Sequence, residues 1–165
     1  MIIRACGPAD LPRVQAIYAH HVLTGLGSFE EIPPSLDDMH ARYERIIGGG
    51  YPFVVAERDG DIVGYAYASE YRPRSAYRFT CESSVYVAPL AQRGGAGRAA
   101  MLEVIAACER RGLRQMLAVI GDSANAASIG LHAVLGFTPA GVFRNVGFKF
   151  GRWVDVVLMQ RGLRQ

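Results

Sequence analysis

The spacing of apolar residues changes along the chain, and each change marks an element. Ile2 to Ala5 is a short apolar run that reads as a strand. Leu11, Val14, Ile17 and Tyr18 then recur at helical spacing in "ADLPRVQAIYAHHVL", with Asp10 as the expected N-cap. "TGLGSFEEIPP" breaks the pattern as a loop. Met39, Tyr43, Ile46 and Ile47 form a second helical stripe, capped by Ser35 and stopped by the glycine run from Gly48. "YPFVVAERDGDIVGYAYASEY" reads as two β-rich runs joined at Asp59-Gly60, where glycine tolerates the positive φ of a hairpin turn. A longer strand is expected through "AYRFTCESSVYVA". Beyond a glycine cluster, Ala99, Ala100, Leu102, Ile105, Ala106 and Cys108 predict a helix ending at Gly112, and "RQMLAVIG" predicts a buried strand. "SANAASIGLHAVLGF" is a last helix stopped at Gly136, and "AGVFRNVGFKFGRWVDVVLMQ" gives two strands turning near Gly151. The order β-α-α-β-β-β-α-β-α-β-β is that of an α/β (α+β) fold, a mixed sheet flanked by helices.

Composition narrows the class. With 165 residues, half of them hydrophobic, the chain can build one sizeable core, and a single domain over residues 1–165 is expected. Eighteen basic against fifteen acidic residues, a net charge of +3, is too slight an excess for a nucleic-acid footprint and suits a locally anionic ligand. Cys6, Cys81 and Cys108 form neither a CxxC pair nor a disulfide framework, which fits a reducing cytoplasm. No charged n-region precedes an apolar stretch at the N-terminus, and no run of about 18 apolar residues occurs, so a soluble protein with no membrane partner is expected. His20 and His21 are adjacent rather than at metal-ligand spacing and read as ordinary helix residues, so no metal is expected.

The glycine cluster raises a chemical question. In "APLAQRGGAGRAAMLEV", Gly94, Gly95 and Gly97 leave the backbone bare just before a helix, where N–H groups at the positive end of the helix dipole can meet an anion. The glycines alone fit a phosphate site or a tight turn without a ligand. A nucleotide-triphosphate loop is disfavoured, because Gly97 is followed by Arg98 and Ala99 rather than Lys-Ser/Thr. Gly95, Gly97 and Ala100 fit the dinucleotide spacing G-x-G-x-x-A, with Asp122 a little too far on for the ribose carboxylate. "APLAQR" separates the strand from the glycines, however, which disfavours an NAD-binding oxidoreductase.

Read with its flanks, the segment resembles another family. Gln92, Gly95 and Gly97 hold the defining positions of the Q/R-x-x-G-x-G/A acetyl-CoA loop of the GNAT superfamily of N-acetyltransferases. "ESSVYV", "NAASIGLHAVLGF" and "GFKFGRWVDV" are similar to three further blocks of its phosphinothricin acetyltransferase and L-amino acid N-acyltransferase subfamily, in the same order. The resemblance covers nearly the whole chain. It implies the GNAT fold, a mostly antiparallel seven-stranded sheet with about four helices, and acetyl-CoA as donor. It also implies a small amine or amino-acid acceptor, and a homodimer.

Each step of acetyl transfer has a candidate residue. An alkyl ammonium with a pKa of ~10 must lose a proton before it can attack, and Glu82 matches the subfamily's proposed general base. Without the resemblance Glu82 reads as a surface carboxylate. The resemblance lays the cofactor arm along Val85, Tyr86 and Val87, with Val85 and Val87 offering backbone groups. It sets the pyrophosphate on the N–H groups of Arg93, Gly94, Gly95, Ala96, Gly97 and Arg98. His132 stands where many members carry the tyrosine that protonates the cofactor sulfur, and it reads equally as a packed helix histidine. Asn125, with Ser128 after it, matches the asparagine that binds the pantetheine arm, and it is also an ordinary cap. In "SEYRPRSAYRFTCE", Arg72 and Arg74 lie on the segment that lines the acceptor site in the subfamily, with Tyr71 in place of its usual tryptophan, and Phe29 and Glu30 would close the opposite wall. The acceptor this implies is phosphinothricin or methionine sulfoximine, acetylated by direct transfer rather than through an acetyl-Cys81. A non-catalytic acetyl-CoA sensor would need Gly95, Gly97 and Asn125 but not Glu82.

Overall fold

A computed structural model describes residues 1–164. Its strands are β1 (Ile2–Ala5), β2 (Phe53–Arg58), β3 (Asp61–Glu70), β4 (Thr80–Val87), β5 (Gln115–Gly121), β6 (Thr138–Lys149) and β7 (Arg152–Gly162). Its helices are α1 (Leu11–Thr24), α2 (Leu36–Gly48), α3 (Ala96–Arg110) and α4 (Ala126–Val134). All seven strands join one sheet in the order β1-β2-β3-β4-β5-β7-β6, and β4–β5 is its parallel pair. Element order and sheet composition agree with the sequence reading.

Period-two alternation sends successive residues of the central strands into two cores. On one face Ala66 and Ala68 of β3, Cys81 of β4 and Met116, Ala118 and Ile120 of β5 pack under α3 through Ala100, Met101, Val104, Ile105 and Cys108. On the other, Phe53, Val55 and Tyr65 meet α1 and α2 through Leu11, Val14, Ile17, Met39, Tyr43 and Ile46. Asp59 and Gly60 turn the β2–β3 hairpin with φ of 53° and 82°, the pair of positive values a tight hairpin needs.

Some local expectations give way. The strand expected from Ala76 starts at Thr80, because Ser75–Tyr77 form a 3₁₀ turn. Asp10 does not cap α1 with its side chain. Its carboxylate turns back to the Gly7 N–H and to Arg4, closing a 3₁₀ turn that leads into the helix. Leu102 is 45% exposed and Ile47 38%, whereas Met101 and Val104 join Ala100, Ile105 and Cys108 on the buried face of α3. Ser35 caps α2 as expected, accepting from the Asp38 N–H while Asp38 reaches back to the Ser35 N–H.

Candidate active site

The site is built where two neighbouring strands separate. β4 and β5 pair from Thr80↔Gln115 to Ser83↔Ala118 and no further, although β4 runs on to Val87. The Ala88 N–H donates to the Val63 carbonyl on the β3 side, so by alternation the backbone groups of Val85 and Val87 point into the gap. At its far end His21 Nε2, from α1, donates to the Val87 carbonyl at 2.8 Å. The remaining backbone groups in this stretch of β4 form an edge that an extended amide chain can pair with as an added strand.

Glu82, Ser84 and Tyr86 alternate with these residues and face α1 and α2. Glu82 is half-buried, its carboxylate makes no hydrogen bond or ion pair among the described residues, and its pKa is raised by burial alone. Tyr86 lies beside it among aromatic rings, 5.0 Å from Tyr18 and 5.5 Å from both His21 and Tyr65. Cys81 points the other way, into the α3 core, where its thiol is fully buried 4.0 Å from the Cys108 sulfur and its pKa is driven far up by that neighbour and by burial.

The glycine loop leads from β4 into α3. Arg93 (φ 61°) and Gly95 (φ 81°) take left-handed conformations, and Gly95 is the N-cap without any side-chain cap, which leaves the first N–H groups of a 15-residue helix unclaimed by side chains. Arg93 and Arg98 are exposed beside them. The glycines have packing duties as well. A Cβ on Gly97 would fall 3.2 Å from Val87 and 3.5 Å from both Val85 and Leu131, and one on Gly94 would fall 2.8 Å from the Arg58 guanidinium, which donates to the Gly94 carbonyl. The bareness expected for an anion thus also seats α3 against β4 and α4.

Asn125 caps α4 by accepting from the Ser128 N–H at 3.1 Å, and its Nδ2 reaches the Gly121 carbonyl at 3.4 Å. His132 is 3% exposed; its Nδ1–H donates to the Ser128 carbonyl at 2.8 Å, Nε2 has no partner, and burial lowers the pKa. With Nδ1–H donating to a carbonyl, the neutral form of this imidazole carries its lone pair at Nε2 and yields a proton there only after taking one up.

The acceptor candidates divide. The Phe29 ring lies where a Cβ on Gly147 would collide with it, and Gly121 admits the Leu26 carbonyl in the same way. Glu30 is gripped by Arg42 at 2.6 Å, and its Oε2 is buried without a partner. Both Glu30 and Glu82 act electrostatically on Tyr67 and Tyr86, which puts the two carboxylates on one cluster. Arg72 and Arg74 belong to the exposed β3–β4 connection, at the end of the ladder where Ser69 pairs with Glu82. The Arg72 guanidinium lies 5.2 Å from the Tyr71 ring centroid, and among the described residues neither arginine side chain forms a hydrogen bond or ion pair with the cluster. The sequence reading took His21 for an ordinary helix residue and passed over Arg42, Arg58 and Lys149. Each acts through a backbone carbonyl or an ion pair formed across the fold, and no local pattern announces such contacts.

A strand pair opened beside an unpaired carboxylate, with a bare helix N-terminus at its mouth, defines an acyl-transfer scaffold. The family model described as the acetyltransferase (GNAT) domain matches residues 3–158, and the chain belongs to this family. Among its relatives is a phosphinothricin N-acetyltransferase of Alcaligenes faecalis, 58% identical over 98% of this chain and 82% of that protein. An L-methionine sulfoximine/L-methionine sulfone acetyltransferase of Salmonella typhimurium is 40% identical over 97% of this chain and 93% of its own length. The crystal structure of a phosphinothricin acetyltransferase from Sinorhizobium meliloti in complex with acetyl-CoA is 45% identical and superposes with a TM-score of 0.95, covering 98% of this chain and 88% of that one.

Proposed function

We propose that the protein transfers an acetyl group from acetyl-CoA to the α-amine of a small amino-acid-like acceptor of the phosphinothricin or methionine sulfoximine type, in a ternary complex. One observation carries the reading: Glu82 stands unpaired, with a raised pKa, beside the backbone edge left free where β4 leaves β5. A sensor that only bound the donor would have no use for a half-buried carboxylate held without a partner, a costly arrangement. Acetyl-CoA supplies an activated acyl carbon and a thiolate leaving group. Val85 and Val87 offer it backbone pairing, and Arg93 through Arg98 offer N–H groups and two guanidiniums for its phosphates. Asn125 and Ser128 at the start of α4 border the same arm. The α4 cap leaves one Asn125 amide hydrogen for it.

In this reading Glu82 takes the proton from the acceptor ammonium and so frees the amine to attack. His132, once protonated at Nε2, gives a proton to the departing thiolate, and its lowered pKa makes the imidazolium a willing donor. A covalent route through Cys81 is disfavoured by the thiol's burial in the α3 core, on the face away from Glu82. Arg72 and Arg74 hold the acceptor carboxylate, and Phe29 and Glu30 form the far wall. The protein is taken to act in the cytoplasm, as a homodimer of one catalytic domain per chain. Comparing an amino acid with its decarboxylated amine tests the acceptor side. The amino acid is expected to be the better substrate by at least tenfold in kcat/KM, a preference that Arg72→Ala and Arg74→Ala should erode through the acceptor KM alone. Equal rates on the two would mean that no carboxylate is read.

A further inference from the structure

Lys149 is the most deeply buried charged side chain among the described residues, 1% exposed, and it forms no ion pair there. Its ammonium donates instead to two carbonyls of the α1–α2 connection, Gly25 at 2.8 Å and Ser28 at 2.7 Å. Glu30 and Glu31 act on it only at a distance, and the Phe150 ring centroid lies 5.0 Å from Nζ. Burying a cation against neutral acceptors costs stability that a methionine of similar shape would not, and burial accordingly lowers its pKa. Such a residue calls for a purpose other than packing.

The purpose lies in what those carbonyls belong to. Residues 25–30 contain two glycines and no regular secondary structure, and the segment reaches from α1, on one side of the strand gap, to β5 and β6 on the other. The segment is seated at the β5–β6 side by glycines that make room for it: Gly121 for the Leu26 carbonyl and Gly147 for the Phe29 ring. From Ser28 the contacts run on toward the reacting groups. The Ser28 hydroxyl bonds Tyr18 at 2.8 Å and accepts from the Glu30 N–H at 3.2 Å, and Glu30 meets Arg42 at 2.6 Å. Lys149 thus fixes two points of a strap whose end carries Phe29 and Glu30.

We propose that Lys149 is a positioning residue for the acceptor: by tying the Gly25 and Ser28 carbonyls to β6, it holds the 25–30 strap so that Phe29 and Glu30 form the wall opposite Glu82. This rests on the acceptor reading above and adds to it a residue that touches neither substrate. A flexible strap in a protein lacking Lys149 would have to be ordered by the acceptor on each binding event, which weakens acceptor binding and spares the donor, held on β4 and α3.

The experiment compares Lys149→Met and Lys149→Gln with the parent. Two readouts are taken: steady-state kinetics in both substrates, and hydrogen exchange of amides 25–30 in the substrate-free protein. Lys149→Met is expected to raise the acceptor KM about tenfold or more, to change the acetyl-CoA KM less than about twofold, and to speed exchange in the strap while the α3 core stays protected. Lys149→Gln keeps one donor and should fall between. If Lys149→Met does not fold, the Gln variant carries the same comparison. Unchanged strap exchange in a folded variant overturns the clamp whatever the acceptor proves to be. Faster exchange throughout the protein, or a parallel rise of both KM values, overturns it in favour of a general packing role. A parent protein inactive on amino acids would sink the acceptor reading instead, and the exchange measurement would still decide the clamp.

Discussion

Glu82 is solvated too poorly to be comfortable as an anion and has no partner to make it so, which is why its pKa is raised. The sign for catalysis follows directly. A base works when deprotonated, so kcat/KM should climb with pH through a carboxyl pKa above the ordinary ~4.3, and the advantage supplied by protonated His132 should fade at higher pH. Glu82→Gln and His132→Gln separate the two proton steps. Glu82→Gln is expected to lose about 10²–10⁴-fold in kcat at neutral pH, to keep its acetyl-CoA affinity, and to regain rate as rising pH frees the amine unaided. His132→Gln should lose less, with a deficit that shrinks as pH rises, because the buried imidazole is seldom protonated above its lowered pKa. Rate–pH profiles of the parent and the two variants check both, and a Glu82→Gln variant with normal neutral turnover would remove the carboxylate from the mechanism.

At the scale of elements, the glycine loop and α3 are a joint device. Because Gly97 is packed against Val85, Val87 and Leu131, enlarging it would disturb the β4–α3 seat as well as any anion, so it tests the phosphate role poorly. The exposed guanidiniums are cleaner probes. Replacing Arg93 and Arg98 together by alanine should weaken acetyl-CoA binding about tenfold and flatten its salt dependence, with the melting temperature unchanged; titration calorimetry at two salt concentrations measures this. Equal affinities for parent and variant would move the phosphates elsewhere. The loop was legible in the sequence because glycine spacing and the start of a helix are local facts, as were the Ser35 cap and the Asp59-Gly60 hairpin. The parting of β4 from β5 was not, since "ESSVYV" reads the same whether its edge is paired or open. Nor was the strap, whose holding residue lies 124 positions from one of its bonds. Leu102 misled for a related reason: helical spacing gives a stripe but not the angle at which it meets the sheet, and Met101 and Val104 fall inside that angle while Leu102 falls outside it.

Across the whole molecule, the two cores leave one surface unexplained. β6 is the last strand of the sheet, and Val142, Phe143, Val146, Phe148 and Trp153 of β6 and β7 are all exposed, with Phe148 and Trp153 packed together at 5.0 Å. Large apolar side chains exposed on both faces of a sheet edge suit burial against a second copy. Trp153→Glu with Phe143→Glu should therefore halve the mass measured by light scattering; an unchanged mass for parent and variant would assign this surface another role. No helix of the described residues is long and apolar enough to cross a membrane, and the proposed function falls on the cleft where β4 parts from β5. The most direct measurement of what that cleft does is the release of free CoA thiol from acetyl-CoA on adding L-phosphinothricin or L-methionine sulfoximine, with the product weighed by mass spectrometry. The account predicts thiol release matched one for one by an N-acetylated amino acid. Saturable binding of acetyl-CoA with no thiol released by any α-amino acid would contradict it.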